Sequence, residues 1–150
     1  MSENPDTSGP HLWLVWWKAY HSIEKYDRQS IQKLGFATLS DFAVLEVLLH
    51  KGPQPVNSIG RRVLLTSGSI TAAVDRAEAK GLVERRSSPT DRRVVEVHLT
   101  EAGQELIERA FSKHAEALEE VFAEFSSEER DTLYRLMKSV GKRADDLNRA

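Results

Sequence analysis

Residues 65–85 read LTSGSITAAVDRAEAKGLVER, and the reading of this stretch decides the fold. Thr66 or Ser67 offers a side-chain oxygen able to cap a helix, and Gly81 is the residue type that most readily turns left-handed at a helix end. A helix is therefore expected to about Lys80. Within it Ile70, Val74 and Ala77 follow one another at helical spacing and make one apolar stripe. Gly68, Thr71, Ala72, Asp75 and Arg76 recur on the other side. One face can bury itself while the other presents short polar side chains. Two strands should follow, over residues 82–86 and 94–99, the second with Val95, Val97 and Leu99 on one face and Glu96 and His98 on the other. The segment between them, SSPTDRR over residues 87–93, reads as a polar, basic hairpin tip.

Upstream, residues 11–34 carry Leu12, Trp16, Ala19, Tyr20 and Ile23 at helical spacing, and Gly35 is the expected stop. Thr38 to Asp41 resembles a capping box and opens a second helix, with Phe42, Leu45 and Leu49 on one face, that ends at Lys51-Gly52-Pro53. A short third helix is expected over residues 55–63, Pro55 suiting its first turn. Downstream, Thr100 caps a long helix in which Ile107, Phe111, His114, Leu118, Val121 and Phe125 alternate four and three apart, the period of a helix-helix seam. Ser126 to Glu129 forms another capping box, opening a last helix with Leu133, Leu136, Met137, Val140, Ala144 and Leu147 turned inward. No internal repeat and no interdomain linker is visible. The expected layout is an unstructured arm over residues 1–10 followed by a single domain over 11–150.

Composition removes several functions. The 150 residues include no cysteine, which excludes disulfides, thiolate zinc sites, cysteine nucleophiles and thiol redox sensing. Apolar residues make up 40%, enough for an ordinary core, but no window approaches the roughly 20 apolar residues of a membrane span. The polar first ten residues are unlike a signal peptide, so a cytoplasmic location is expected. The five histidines (11, 21, 50, 98 and 114) lack metal-ligand spacing, and no nucleophile-base pair or phosphate loop is present. Neither a cofactor nor enzymatic activity is expected. The net charge of −2 hides an uneven distribution. Residues 61–98 hold eight basic against five acidic residues, whereas residues 100–125 hold seven Glu against Arg109 and Lys113. Only the first segment suits a polyanion.

Helix, tight turn, polar-faced helix and basic hairpin occur in the order of a winged helix-turn-helix, a mainly α fold with a small β-hairpin wing. A recognition helix needs short side chains so that its backbone can approach base edges, and Gly68, Ser69, Thr71 and Ala72 meet that need. The hairpin needs cations at its tip for phosphates or the minor groove, and Arg92 and Arg93 stand there. Arg76 has two readings, a groove contact or an ion pair with a carboxylate. Asp91 likewise reads either as a local turn cap or as the partner that orients an arginine.

The 65–85 stretch, Asp91-Arg92-Arg93 and Leu99-Thr100 together resemble the MarR family of bacterial regulators, with the likeness running over about residues 11–148. The resemblance implies a pseudo-two-fold homodimer built by helices within 11–34 and 100–150, with residues 38–99 as the DNA-binding winged part on a pseudo-palindromic operator. It implies DNA-binding roles for Thr66, Ser67, Gly68, Ser69, Thr71, Ala72, Arg76, Asp91, Arg92 and Arg93. Asp91 is expected to orient one wing arginine while the other touches DNA, both assignments of Arg92 and Arg93 being open. Repression relieved by a small aromatic or phenolic ligand is the implied function, and Trp16, Trp17, Tyr20 and His21 are the ligand-binding expectation, since flat ligands favour aromatic-lined clefts. The alternative is a winged-helix protein-interaction module that binds no specific DNA. Two positions depart from the family pattern. Ala72 stands where many relatives carry Arg, and Ala77 replaces a usual Leu, which implies looser packing behind the recognition helix.

Overall fold

The computed structural model describes residues 5–63 and 67–149. Six helices and a two-stranded hairpin follow in the order α1 (Gly9–Lys33), α2 (Leu39–Lys51), α3 (Val56–Val63), α4 (Ser67–Ala79), β1 (Val83–Ser87), β2 (Val95–Leu99), α5 (Glu101–Val121) and α6 (Ser127–Asn148). The chain divides into two compact units, Met1–Ala115 and Glu116–Ala150. No described helix is long and apolar enough to cross a membrane.

In the first unit the helix boundaries fall where local chemistry puts them. Thr38 accepts a hydrogen bond from the Asp41 backbone N–H at 3.2 Å and so caps α2. At the end of α4 the chain reverses at Gly81, whose φ of +70° suits glycine, and the Leu82 N–H closes back onto the Ala77 carbonyl at 2.9 Å. Thr100 does double duty. Its hydroxyl donates to the Gly81 carbonyl at 2.6 Å and accepts from the Gly103 N–H at 3.1 Å, which fixes the start of α5 to the end of α4.

The core gathers Phe42, Val44 and Leu45 from α2, Ile59 from α3, Ile70, Ala73, Val74 and Ala77 from α4, Val83 and Val97 from the hairpin, and Ile107 from α5. The apolar stripe expected of α4 is thus its buried face, each large side chain contributing roughly 1.5–3 kcal/mol. Burial of α4 against α2, α3 and β1 holds its other face outward. The strands pair antiparallel, Val83 opposite Leu99 through Ser87 opposite Val95, each starting one residue later than the sequence suggested. Val95 is exposed although it shares a face with Val97, because it lies near the free end of the hairpin, beyond the core. Gln54 adds a bridge that the sequence did not reveal, exchanging backbone hydrogen bonds with Val97 at 3.0 and 3.4 Å.

In the second unit the capping box at Ser126 and Glu129 is present in both directions, at 2.8 and 3.3 Å. Arg130 bridges Glu119 at 2.6 Å and the Phe122 carbonyl at 2.7 Å, closing the turn before α6. Here the sequence reading needs correction. Phe125 lies beyond the end of its helix, and the stripe on α6 expected to face inward is open, with Leu136 61% exposed and no residue of α6 buried. On α1, Leu12, Trp13, Trp16, Trp17 and Tyr20 are exposed as well. The spacing identified real apolar stripes; what it could not supply is a partner within one chain.

Candidate nucleic-acid interface

The outward face of α4 consists of Gly68, Ser69, Thr71, Ala72, Asp75 and Arg76, all exposed. Thr66 lies outside the described residues, and of Ser67 only the backbone is described, as the first residue of α4. Arg76 follows the second of its two readings. Its Nε and Nη2 both donate to Asp41 Oδ1, at 2.9 and 2.7 Å, tying α4 to α2. Asp41 is buried and Arg76 half exposed, so the pair works chiefly to hold the helix in place.

Two carboxylates on α4 would oppose a polyanion, and both pair with a single cation of the wing, which offsets one of their two charges. Arg85 on β1 donates to Asp75 at 2.5 Å and pairs with Glu78, whose other oxygen accepts the Arg85 backbone N–H at 3.1 Å. The same contacts lock the first wing strand onto the recognition helix. At the tip, Asp91 Oδ1 accepts from the Arg93 N–H at 3.0 Å and from its Nε at 3.2 Å, while Oδ2 accepts from Nη2 at 3.2 Å. Hydrogen bonding from Arg93 holds the Asp91 carboxyl below the ordinary carboxylate range. The structure therefore distinguishes the two wing arginines. Arg93 is Asp91's partner, and the exposed side chain of Arg92 makes no hydrogen bond or ion pair among the described residues.

Counting only unneutralised cations changes the electrostatics of this face. Arg76, Arg85, Arg86 and Arg93 are all paired with carboxylates. Arg61 and Arg62 on α3 instead donate to neutral partners, Ser58 Oγ at 3.1 Å and Gln54 Oε1 at 3.0 Å, and keep their full charge. They were not singled out from the sequence, although their place in the helix before the turn, with no acidic residue nearby in the chain, was a usable signal. Like Lys80 and Arg92, they have no carboxylate partner among the described residues.

The residues expected to hold a ligand lie elsewhere. His21 and Trp17 pack at 4.2 Å between ring centroids, Tyr20 sits edge-on to His21 at 5.4 Å, and the His21 Nδ1 lies 2.8 Å from the Trp17 carbonyl. All three, with Trp16, stand on the exposed stripe of α1. A part-buried polar cluster joins α1 and α5 instead, with Phe42 of α2 packed against it. His114 Nε2 lies 3.2 Å from Asp27 Oδ1, its Nδ1 lies 3.3 Å from Ser30 Oγ, and Phe42 meets the ring edge-on at 4.9 Å.

Desolvation raises the carboxyls of Asp27 and Glu46 above their ordinary range, against the attraction of His114 for both and of His50 for Glu46. A raised folded-state value means that ionising Glu46 weakens the fold as pH rises past the unfolded value of about 4.3. Glu46→Gln is therefore expected to melt higher than the parent at neutral pH, with the difference closing as pH falls towards about 4. Thermal melts across that range check it, and a difference that widens on acidification has the wrong sign.

Comparison with known proteins agrees with this arrangement. The model of the MarR family matches residues 38–94, which run from the cap of α2 to the wing tip. The HTH-type transcriptional regulator MhqR of Bacillus subtilis (strain 168) is 43% identical over 137 residues, 91% of this chain and 94% of its own length. Among solved structures, Bordetella bronchiseptica BpsR, described by the regulation of its DNA binding by 6-hydroxynicotinic acid, superposes with a TM-score of 0.74 at 21% identity, covering 94% of this chain and 98% of its own. The organohalide-sensing regulator RdhR-CbdbA1625, in its 2,4-dichlorophenol-bound form, superposes at 0.73 and 21% identity over 95% and 88%. At these identities the two structures speak for the fold.

Proposed function

The chain belongs to the MarR family of DNA-binding transcriptional regulators and is not an enzyme, and on that footing we propose that it is a cytoplasmic homodimer that binds a pseudo-palindromic operator and represses transcription until a small aromatic ligand releases it. The observation that carries the DNA reading is the division at the wing tip. Arg93 is held by Asp91, which leaves Arg92 as an exposed cation at the wing tip, while the first half of the recognition helix presents small residues outward. Short side chains at Gly68, Ser69, Thr71 and Ala72 let the α4 backbone come close to base edges, and the tip cation suits phosphate or a narrow minor groove. Asp75 and Glu78, which would repel DNA, share Arg85, which offsets one of their two charges and draws both carboxylates toward the wing strand.

The homodimer is supported by the apolar stripes on α1 and α6, too large to stand in water on a monomer. We assign Trp16, Trp17 and Tyr20 to that subunit contact, with His21 beside them. A ligand-released repressor is supported by BpsR, whose DNA binding is regulated by 6-hydroxynicotinic acid, and by RdhR-CbdbA1625, which binds 2,4-dichlorophenol, each ligand a hydroxylated ring.

Selecting bound sequences from a random duplex pool tests the reading. Enrichment of two inverted half-sites, one turn or so apart, is expected, since a two-fold dimer reads a two-fold site. A pool that stays random at low salt contradicts it and favours the protein-interaction module. Sedimentation at micromolar concentration is expected to give twice the chain mass; a well-folded monomer would remove the dimer.

A further inference from the structure

Arg76, Arg85, Arg86 and Arg93 are each oriented by a carboxylate, and the group that orients them also offsets their charge. The last turn of α3 is built differently. Arg62 Nε donates to Gln54 Oε1 at 3.0 Å, so an amide oxygen orients the guanidinium and leaves its charge intact. Arg61 beside it donates to Ser58 Oγ at 3.1 Å, again a neutral acceptor. Gln54 is itself fixed. It is buried, its Nε2 donates to the Gly52 carbonyl at 3.2 Å, and its backbone exchanges two hydrogen bonds with Val97 of β2. One residue therefore ties an exposed cation of α3 to the second wing strand.

The place and the geometry suit a phosphate. Arg62 is exposed and stands five residues ahead of Ser67, where α4 begins. In a helix-turn-helix the first helix crosses the sugar-phosphate backbone while the second enters the groove. A guanidinium anchored through Nε still presents its terminal nitrogens as the fork that meets two phosphate oxygens. A side chain ordered beforehand also has less rotamer freedom to lose when DNA binds.

We propose that Arg62 is a preoriented anchor for a phosphate of the duplex, and that Gln54 is its positioning residue, neutral so that the charge it orients stays available to DNA. The proposal rests on the DNA-binding reading above and adds to it a contact outside the recognition helix and the wing tip. Gln54→Glu makes the role of the amide measurable, since it keeps an acceptor of the same size in the same place and gives it a charge.

The test is the salt dependence of random-duplex binding by the full chain, with a thermal melt of each variant. Arg62→Ala is expected to make the slope of log K against log salt shallower by about one. Gln54→Glu is expected to do the same although Arg62 is still present, because the new carboxylate pairs with it. Gln54→Met removes the acceptor and not the cation, so the slope should hold while affinity falls roughly 2- to 10-fold, the cost of ordering one long side chain on binding. In the Arg62→Ala background Gln54→Met should change affinity little, since the two residues act through one contact. A Gln54 that only supports the fold would lower melting and affinity without moving the slope. An unchanged slope in Arg62→Ala, a parental slope in a folded Gln54→Glu, or a Gln54→Met loss that is the same with and without Arg62 would each overturn the proposal. Should Gln54→Glu fail to fold, the Gln54→Met and Arg62→Ala cycle decides alone. A parent chain that binds no duplex defeats the DNA reading and the anchor with it, whereas a parent that binds with Arg62→Ala unchanged removes only the anchor.

Discussion

Gly103→Ala is expected to destabilise the protein by about 3 kcal/mol or more, the upper end of what overpacking costs. Gly103 sits in the first turn of α5 with no need of an unusual backbone angle; what it lacks is room. An added Cβ would overlap the Leu82 carbonyl oxygen outright and stand 2.9 Å from that carbonyl carbon and 3.2 Å from the Leu82 Cα. The obstacle is backbone, so no rotamer change relieves it. That carbonyl also accepts the Thr100 N–H at 3.0 Å, which means that the residue ahead of β1 and the cap of α5 must move together. Denaturant unfolding followed by circular dichroism measures the loss. A midpoint within experimental error of the parent would show that α5 does not approach Leu82 as described.

The second large effect separates the recognition helix from the wing. Thr71→Ala removes a side chain on the outward face of α4 and is expected to cost ~1–3 kcal/mol on the selected operator, with much less change on random duplex. Arg92→Ala removes an exposed cation with no partner among the described residues, so it is expected to weaken operator and random duplex alike and to reduce the salt slope by about one. Arg93→Ala acts through Asp91, which keeps the bond from the residue-93 backbone N–H but loses both guanidinium bonds, so its charge is no longer offset and repels the phosphates. Arg76→Ala belongs to a different class. Since its guanidinium is held by Asp41, the substitution should loosen the placement of α4 and lower affinity without altering base preference at one position. Titrations of all four variants on both duplexes check this, and identical losses for Thr71→Ala and Arg92→Ala would refute the division.

Local signals were legible and distant pairings were not. Gly81 as a stop and Thr38, Thr100 and Ser126 as caps act within a few residues of themselves, so their chemistry can be read along the chain. The Asp91–Arg93 pair is local too, yet which arginine it takes depends on the turn conformation that directs Arg93 back onto the carboxylate. Arg76 and Asp41 lie 35 residues apart, and Gln54 meets Val97 only after the hairpin has folded against the loop before α3. His114 read as one member of an apolar seam because its spacing matched; its buried contacts with Asp27 and Ser30 come from another helix far upstream. For α6 the stripe was correct and its inward sense was not, since the helix buries none of it within one chain.

Binding of random duplex as a function of salt tests the central claim most directly, because it requires neither the operator nor the ligand. Each phosphate neutralised by a cation releases condensed counterions and contributes about −0.9 to the slope of log K against log salt. If Arg61, Arg62, Lys80 and Arg92 meet phosphates in the way their unneutralised charge allows, log K falls linearly and steeply as salt rises, and the slope becomes shallower in Arg92→Ala. A flat response, or no binding even at low salt, would contradict the assignment of this face to DNA.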